Sequence, residues 1–429
     1  MGQSLNKLDA VDMALKVANK EISPVELIQS HLDQIDQLNP SLNSIVVLAD
    51  DVMDQAKEAE KALYKSGSKI GSLHGVPYTI KDSINVSGYR TSSGSLLTSK
   101  SIATENAPVA ERLKNAGGIL IGKTNTPEFT LWWETDNRVF GRTNNPWDIT
   151  RTPGGSSGGT ATAVNASFAV LGLGTETGGS IQNPAGAQAL VGIKPTFGLV
   201  PLEGVVPINA TYIDVVGPLA KTVYDAAVTL DIIAGPSLDD LATYAAVDRI
   251  PSGGYASELT RTNLEGKRFG SVGIGWREQW LPLHPETEKL YQEAMDVLEA
   301  RGATIITDPF RNSAFIELYA SRPRTPSVGP HDMMVYMQGL GDSSSFNSIQ
   351  EWEELSGQTF RGGRIQAPPA RPSATEEGDA FQAWRKEIRA LYRNILEGSN
   401  LDGLFFPQAG APIRDLIEDP ARPDYSPNN

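Results

Sequence analysis

TRTPGGSSGGTATAVNASFAVLGLGTETGGSIQNPAGAQALVGIKPT, residues 150–196, is dense in Gly, Ser, Ala and Thr and carries very few charges. Flexible linkers have such a composition. A linker, however, has no need of ordered apolar runs, and 168–173 and 189–193 interrupt the glycine clusters here. The stretch therefore reads as a tightly packed interior built on small residues.

Outward from it, strands and helices alternate. A Ser23-Pro24-Val25-Glu26 capping box opens a helix to about residue 38, preceded by another near 8–19. Strands are predicted at 44–48, 76–80 and 118–121, and helices at 50–64 and 106–117. Downstream come a helix at 221–234, a strand at 268–274, a helix at 285–301 and a strand at 304–306. A helix at 378–396 and a strand at 401–406 follow. This rhythm predicts an α/β fold: one large domain over 1–429, with a mixed, mostly parallel central sheet flanked by helices. Residues 309–377 lose the rhythm and are rich in Pro, Gly and Ser, so they read as an irregular insertion and a candidate substrate lid.

Composition removes whole classes of function. The 429 residues carry a formal charge of −14, which argues against cation-driven binding of nucleic acid or of an anionic membrane surface. Cysteine is absent, so disulfides, thiolate metal sites and a cysteine nucleophile are excluded. No run of about 18 apolar residues exists and the N-terminus does not read as a signal peptide, so a cytoplasmic chain is expected. Of four histidines, His31 fits an amphipathic helix as a surface or boundary residue, and His74 reads as a loop residue.

The glycine clusters match no nucleotide loop: 154–160 lacks the lysine of a phosphate loop, and no Gly-x-Gly-x-x-Gly opens a helix. None of the four histidines sits in a catalytic-looking context and no His-Glu-x-x-His is present, so a Ser-His-Asp site and a zinc hydrolase both lack their parts. No cofactor or metal is expected. What remains is a serine nucleophile served by a lysine base. Thr177-Gly178-Gly179-Ser180 offers successive N–H donors, with glycines that let the backbone approach a reacting carbonyl. Gly155-Ser156-Ser157-Gly158 is a second serine turn. Lys81 ends a buried-looking strand, where desolvation lowers a lysine pKa towards a base role.

GGSSGG followed by GTETGGSI, with an upstream strand ending in Lys-Asp-Ser, resembles the amidase signature family of Ser-cis-Ser-Lys hydrolases. The resemblance extends through GVPYTIKD (75–82), GKTNTPEF (122–129), GIKPTFG (192–198) and Gly217-Pro218-Leu219-Ala220. It implies Ser180 as nucleophile, Ser156 as the bridging serine behind a cis peptide bond, and Lys81 as terminal base. Backbone N–H groups of Thr177, Gly178, Gly179 and Ser180 become the oxyanion hole, with Ser157 and Thr175 in support. Two departures stand out. Glu176 and Gln182 replace an Asp and an Arg common in the family, and a Glu–Gln hydrogen bond is the expected substitute. Family chains also continue past a segment like 424–429 into a Gly-Leu-Pro stretch, which this sequence lacks.

The implied chemistry is hydrolysis of a small-molecule amide, anilide or carbamate, of the aryl-acylamidase or urethanase type, by a monomer or homodimer. Trp132, Trp133, Phe140 and Trp147 are candidate apolar lining, and Met334 and Tyr336 are candidate substrate contacts on the insertion. The alternative is an amidotransferase A-type subunit releasing ammonia from glutamine inside a tRNA-dependent complex. Gln182 and the Thr126-Pro127-Glu128-Phe129 sequence count against it. A non-catalytic binding relative is a third reading, opposed by the intact Lys81, Ser156 and Ser180.

Overall fold

Side-chain caps start the first two helices where the sequence places them. Asp9 accepts the Asp12 N–H ahead of α1 (Ala10–Ala18). Ser23 and Glu26 complete a reciprocal capping box ahead of α2 (Pro24–Leu42). Pro40 lies inside α2 without stopping it, so the helix runs beyond residue 38 to a left-handed Asn43. The computed structural model describes residues 4–65, 70–260, 263–278, 281–357 and 375–416. The segment 424–429 lies outside the described residues.

From there strands and helices alternate: β1 (Ile45–Leu48), α3 (Val52–Tyr64), β2 (Pro77–Lys81), α4 (Pro108–Asn115) and β3 (Ile119–Thr124). The Gly/Ser-rich stretch supplies α5 (Gly158–Asn165), β4 (Leu171–Glu176), α6 (Gln182–Ala187) and β5 (Val191–Gly192), followed by β6 (Val215–Ala220) and α7 (Val223–Ile233). The sheet order is β1-β3-β2-β4-β6-β5. Its centre, β3-β2-β4, is parallel, and the pairs β1·β3, β4·β6 and β5·β6 are antiparallel. The sheet is mixed as expected, though its parallel pairing is confined to the middle.

β2, β3 and β4 are buried along their whole length, as strands covered on both faces must be. Small residues let α5 lie directly on them. A Cβ at Gly172 would stand 2.4 Å from Thr160 Cγ2, and one at Gly159 would stand 2.4 Å from Asn125 O. Close packing, rather than flexibility, explains the composition of 150–196.

The described residues fall into two compact units, a finer division than the single domain expected. The first is drawn from Met1–Ser257, Gly329–Ile365 and Arg414–Asn429, and holds the six-stranded sheet. The second is drawn from Glu258–Val328 and Gln366–Ile413. It contains β7 (Arg268–Ser271), α8 (Pro285–Ala300), β8 (Thr304–Thr307), α9 (Phe315–Ala320), a long helix (Glu376–Gly398) and a last strand (Gly403–Phe405). The three strands form a parallel sheet with β7 in the centre. Its aromatic core gathers Trp276, Phe310 and Phe315 with Tyr392 and Phe406.

Two sequence expectations are corrected. Residues 309–377 are not one irregular insertion. They contain α9 in the second unit, and α10 (Gly329–Gly339) and α11 (Ile349–Ser356) in the first; 358–374 lie outside the described residues. Met333, Tyr336, Met337 and Leu340 follow the i, i+3, i+4, i+7 spacing of one helix face, and they are buried together with Phe129, Val206, Phe346 and Trp352. The long helix and last strand of the second unit are α12 and β9 accordingly.

The second correction is His31, which is fully buried rather than at the surface. Its Nδ1–H donates to Ser167 O at 2.9 Å. Burial, with a smaller contribution from Lys221 and Lys7, lowers its pKa to about 4.

This packing has measurable consequences. Gly159→Ala should destabilise the fold by about 1–3 kcal/mol, because backbone atoms block the new methyl. Gly339→Ala, where nothing lies within 4 Å, should be neutral or slightly stabilising; thermal melts of the pair check this. Between pH 6.5 and about 4 an unfolded chain protonates His31 while the folded one does not. Stability should therefore be full above pH 6.5 and fall as pH drops, by roughly 3 kcal/mol at most from this group. Denaturant titrations of the wild type and His31→Gln should show that limb flattened in the variant.

Candidate active site

The site is assembled at the edge where β2 and β4 end side by side, since parallel neighbours place their C-terminal ends together. Ile80 pairs with Leu173, so Lys81 on one strand comes level with the Gly174-Thr175 end of the other. Ser156 and Ser157 sit in the turn before α5, joined to Gly155 by a cis peptide bond at Gly155–Ser156.

Lys81 Nζ lies 2.6 Å from Ser156 Oγ, 2.9 Å from Thr175 Oγ1 and 3.0 Å from Ser157 Oγ, with Thr175 O at 3.4 Å. All four residues are buried. Burial dominates and drives the Lys81 pKa well below its ordinary 10.5, while the carboxylates of Glu176 and Asp214 oppose the shift. A neutral amine has two N–H donors and one lone pair. Ser157 accepts the Thr175 N–H at 3.3 Å and directs its own proton to Thr175 O at 3.2 Å, so it can only accept from Lys81. Ser156, at the shortest distance, can hand its proton to the lone pair.

Ser180 joins this cluster through the backbone. Its carbonyl accepts the Ser157 N–H at 3.2 Å, and Asn183 Oδ1 accepts the Gly155 N–H at 3.1 Å, which laces the two serine turns together. Around Gly178 and Gly179 the space is open: a Cβ on either would meet nothing within 4 Å. The N–H groups of Gly178, Gly179 and Ser180 make no hydrogen bond among the described residues. Those of Ile181 and Gln182 do, both donating to Glu176 Oε2, at 2.8 and 3.0 Å.

The Glu176–Gln182 substitution works as the sequence suggested. Gln182 Nε2 donates to Glu176 Oε1 at 3.3 Å. Lys194 Nζ, 3.9 Å from the same oxygen, supplies a cation that the sequence reading did not foresee.

Three further features escaped that reading. Asp214 is buried just before β6 and accepts the Thr177 hydroxyl at 2.5 Å. Asp82 forms a fully buried ion pair with Lys123 at 3.3 Å, directly behind Lys81 in sequence. The approach to the serine turn is pinned from far along the chain. Thr152 N–H donates to Arg414 O at 3.2 Å, Leu416 N–H donates to Thr150 O at 2.9 Å, and Arg414 pairs with the buried Glu134 at 3.2 Å. The only advance signals were single charges within apolar or motif-bearing runs.

The candidate substrate residues divide. Trp132 is half-buried beside the serine turn, where its carbonyl lies 3.0 Å from a Cβ built on Gly155, and its ring stacks on Trp133 at 6.1 Å. Trp133 and Trp147 are exposed. Tyr336 is a packing residue, contrary to expectation: it lies in the apolar cluster of α10 and its hydroxyl donates to Asn85 Oδ1 at 2.8 Å. Met334 sits half-buried at the margin of that cluster.

A buried lysine bridged to a serine turn stands beside a glycine turn whose N–H groups make no hydrogen bond among the described residues. The chain belongs to the amidase family, whose match spans residues 26–423. It is 40% identical over 296 residues to the A-type subunit of glutamyl-tRNA(Gln) amidotransferase from Thermosynechococcus vestitus, covering 68% of this chain and 58% of that protein. To the corresponding protein of Chromohalobacter salexigens it is 36% identical over 416 residues, covering 94% and 82%. The chain thus spans less than two thirds of the length of the first curated relatives it matches. Among solved structures, native peptide amidase from Stenotrophomonas maltophilia is similar, with a TM-score of 0.76 and 28% identity over 94% of this chain and 84% of that one.

Proposed function

We propose that this chain hydrolyses the C–N bond of a carboxylic amide through an acyl ester on Ser180. The observation that carries the reading is the buried Lys81 amine 2.6 Å from Ser156 Oγ. Ser180 Oγ attacks the carbonyl carbon and passes its proton to Ser156, whose own proton moves to Lys81. The oxygen that gains charge is met by the open N–H groups of the 177–180 turn. The relay then returns a proton to the leaving nitrogen, and water, deprotonated by the same route, hydrolyses the ester. Ser157 and Thr175 hold the amine in register and occupy its N–H groups.

Substrate choice is a separate question. The match with amidotransferase subunits favours the side-chain amide of glutamine, with further subunits as partners. A free-standing amidase for anilides or carbamates is the second reading. It is favoured by the likeness to peptide amidase and by Trp132 beside the serine turn, whereas Gln182 supplies no cation for the carboxylate of a glutamine substrate.

Purified chain offered glutamine and a simple anilide separately, without partner proteins, separates the two. Turnover of the anilide alone favours the free-standing amidase, and ammonia release that requires added subunits favours the amidotransferase. For the chemistry itself, a fluorophosphonate probe should label Ser180 and fail on Ser180→Ala. Ser156→Ala should lower the rate by about a thousandfold or more with the fold intact. Labelling of another serine, with activity retained in Ser180→Ala, overturns the assignment. Because only neutral Lys81 accepts a proton, the rate should rise with pH and level off below the ordinary lysine range near 10.5. A rate that falls across the same range counts against the relay.

A further inference from the structure

Gly178 and Gly179 have no side chains to anchor them, and a Cβ on either would meet nothing within 4 Å. The orientation of their N–H groups is therefore set at the two ends of the turn. At the far end Glu176 holds the Ile181 and Gln182 N–H groups, and Asn183 N–H donates to Gly179 O at 2.7 Å. At the near end the anchor is Asp214. Glu176 pairs with Val215 in the β4·β6 ladder, which brings Asp214 alongside Thr177. Its Oδ2 accepts the N–H groups of Ile208 and Asn209 at 2.8 and 2.7 Å, and its Oδ1 accepts the Thr177 hydroxyl at 2.5 Å. A carboxylate fixed by two backbone donors fixes in turn the one side chain that leads into the glycines.

We propose that Asp214 is a positioning residue: it aims the glycine turn at the developing oxyanion through the Thr177 hydroxyl. This rests on the amide-hydrolysing role of Ser180. Lys81 is faced by two carboxylates, Glu176 at the end of β4 and Asp214 ahead of β6, and both favour its charged form against burial. Behind Glu176 stands Lys194 at 3.9 Å. Facing Asp214 from α10 is Asp332, which accepts the Thr211 N–H and hydroxyl and has His331 Nδ1 at 3.5 Å.

Anchor and charge separate by substitution. Thr177→Val removes the anchor and keeps the Asp214 charge. Asp214→Asn removes the charge but can keep the anchor, its amide oxygen accepting the backbone N–H groups and its amide NH2 donating to Thr177. Rates are taken per probe-titrated Ser180, on an amide the wild type turns over. Thr177→Val should lower kcat about tenfold or more with KM within about twofold and the acid limb of the pH profile unmoved. Thr177→Ser should restore most of that loss. Asp214→Asn should move the acid limb to lower pH, by about half a unit or more, since one carboxylate favouring charged Lys81 is gone.

A Thr177→Val enzyme with wild-type kcat, or one that Thr177→Ser fails to rescue, overturns the proposal. The Thr177 pair decides the proposal whether or not Asp214→Asn folds. Failure of the probe to label wild-type Ser180 defeats the amidase reading itself, a distinct outcome.

Discussion

An amine sealed away from water imposes strict demands on everything near it. Lys81 has lost its hydration, so each of its hydrogens and its lone pair needs a partner in the protein. The chain meets this with three hydroxyls, on Ser156, Ser157 and Thr175. Among the described residues no carboxylate touches the amine; Glu176 and Asp214 act on it only through the field. A direct ion pair would hold the lysine charged, whereas distant charges temper its neutrality without abolishing it. Nearby, Lys123 is equally buried but is given Asp82 at 3.3 Å, which opposes the burial that lowers its pKa to about 8.

This demand also organises the backbone. Hydroxyls can reach Lys81 only if α5 starts against the strand ends, and α5 can lie there only if both sides are small. Gly159 against Asn125 and Gly172 against Thr160 meet that condition. The conspicuous glycine content of 150–196 thus serves two purposes, contact between backbones in the interior and unobstructed N–H groups at the 177–180 turn. Only the second concerns chemistry.

Lys81, the serine pair and the glycine turn were legible because they lie in dense local motifs, and the structure brings them together. The surroundings were poorly legible, because these depend on pairings between distant segments. Asp214 meets Thr177 only through the β4·β6 ladder, and a lone Asp ahead of an apolar run carries no local mark. His31 looked like a boundary residue because its partner, the Ser167 carbonyl, arrives from far along the chain. The helix α10 was legible in its Met333, Tyr336, Met337 and Leu340 spacing, yet flanking Gly, Pro and Ser masked it. Local chemistry leaves a pattern in sequence, and tertiary pairing does not.

The strap of 414–416 across Thr150 and Thr152 bears on how the molecule is made. Synthesis proceeds from the N-terminus, so β2 and the serine turns emerge early and wait. The hydrogen bonds that fix the approach to Ser156 come from residues translated more than 250 positions later, and Asn85 waits a comparable interval, 251 residues, for Tyr336. Such distant closures slow folding, since loop entropy must be lost before the contacts form. A nascent chain interrupted between residues 180 and 414 therefore carries Lys81, Ser156 and Ser180 without the strap that braces the serine turn. The fold withholds a finished site until that late segment has been made.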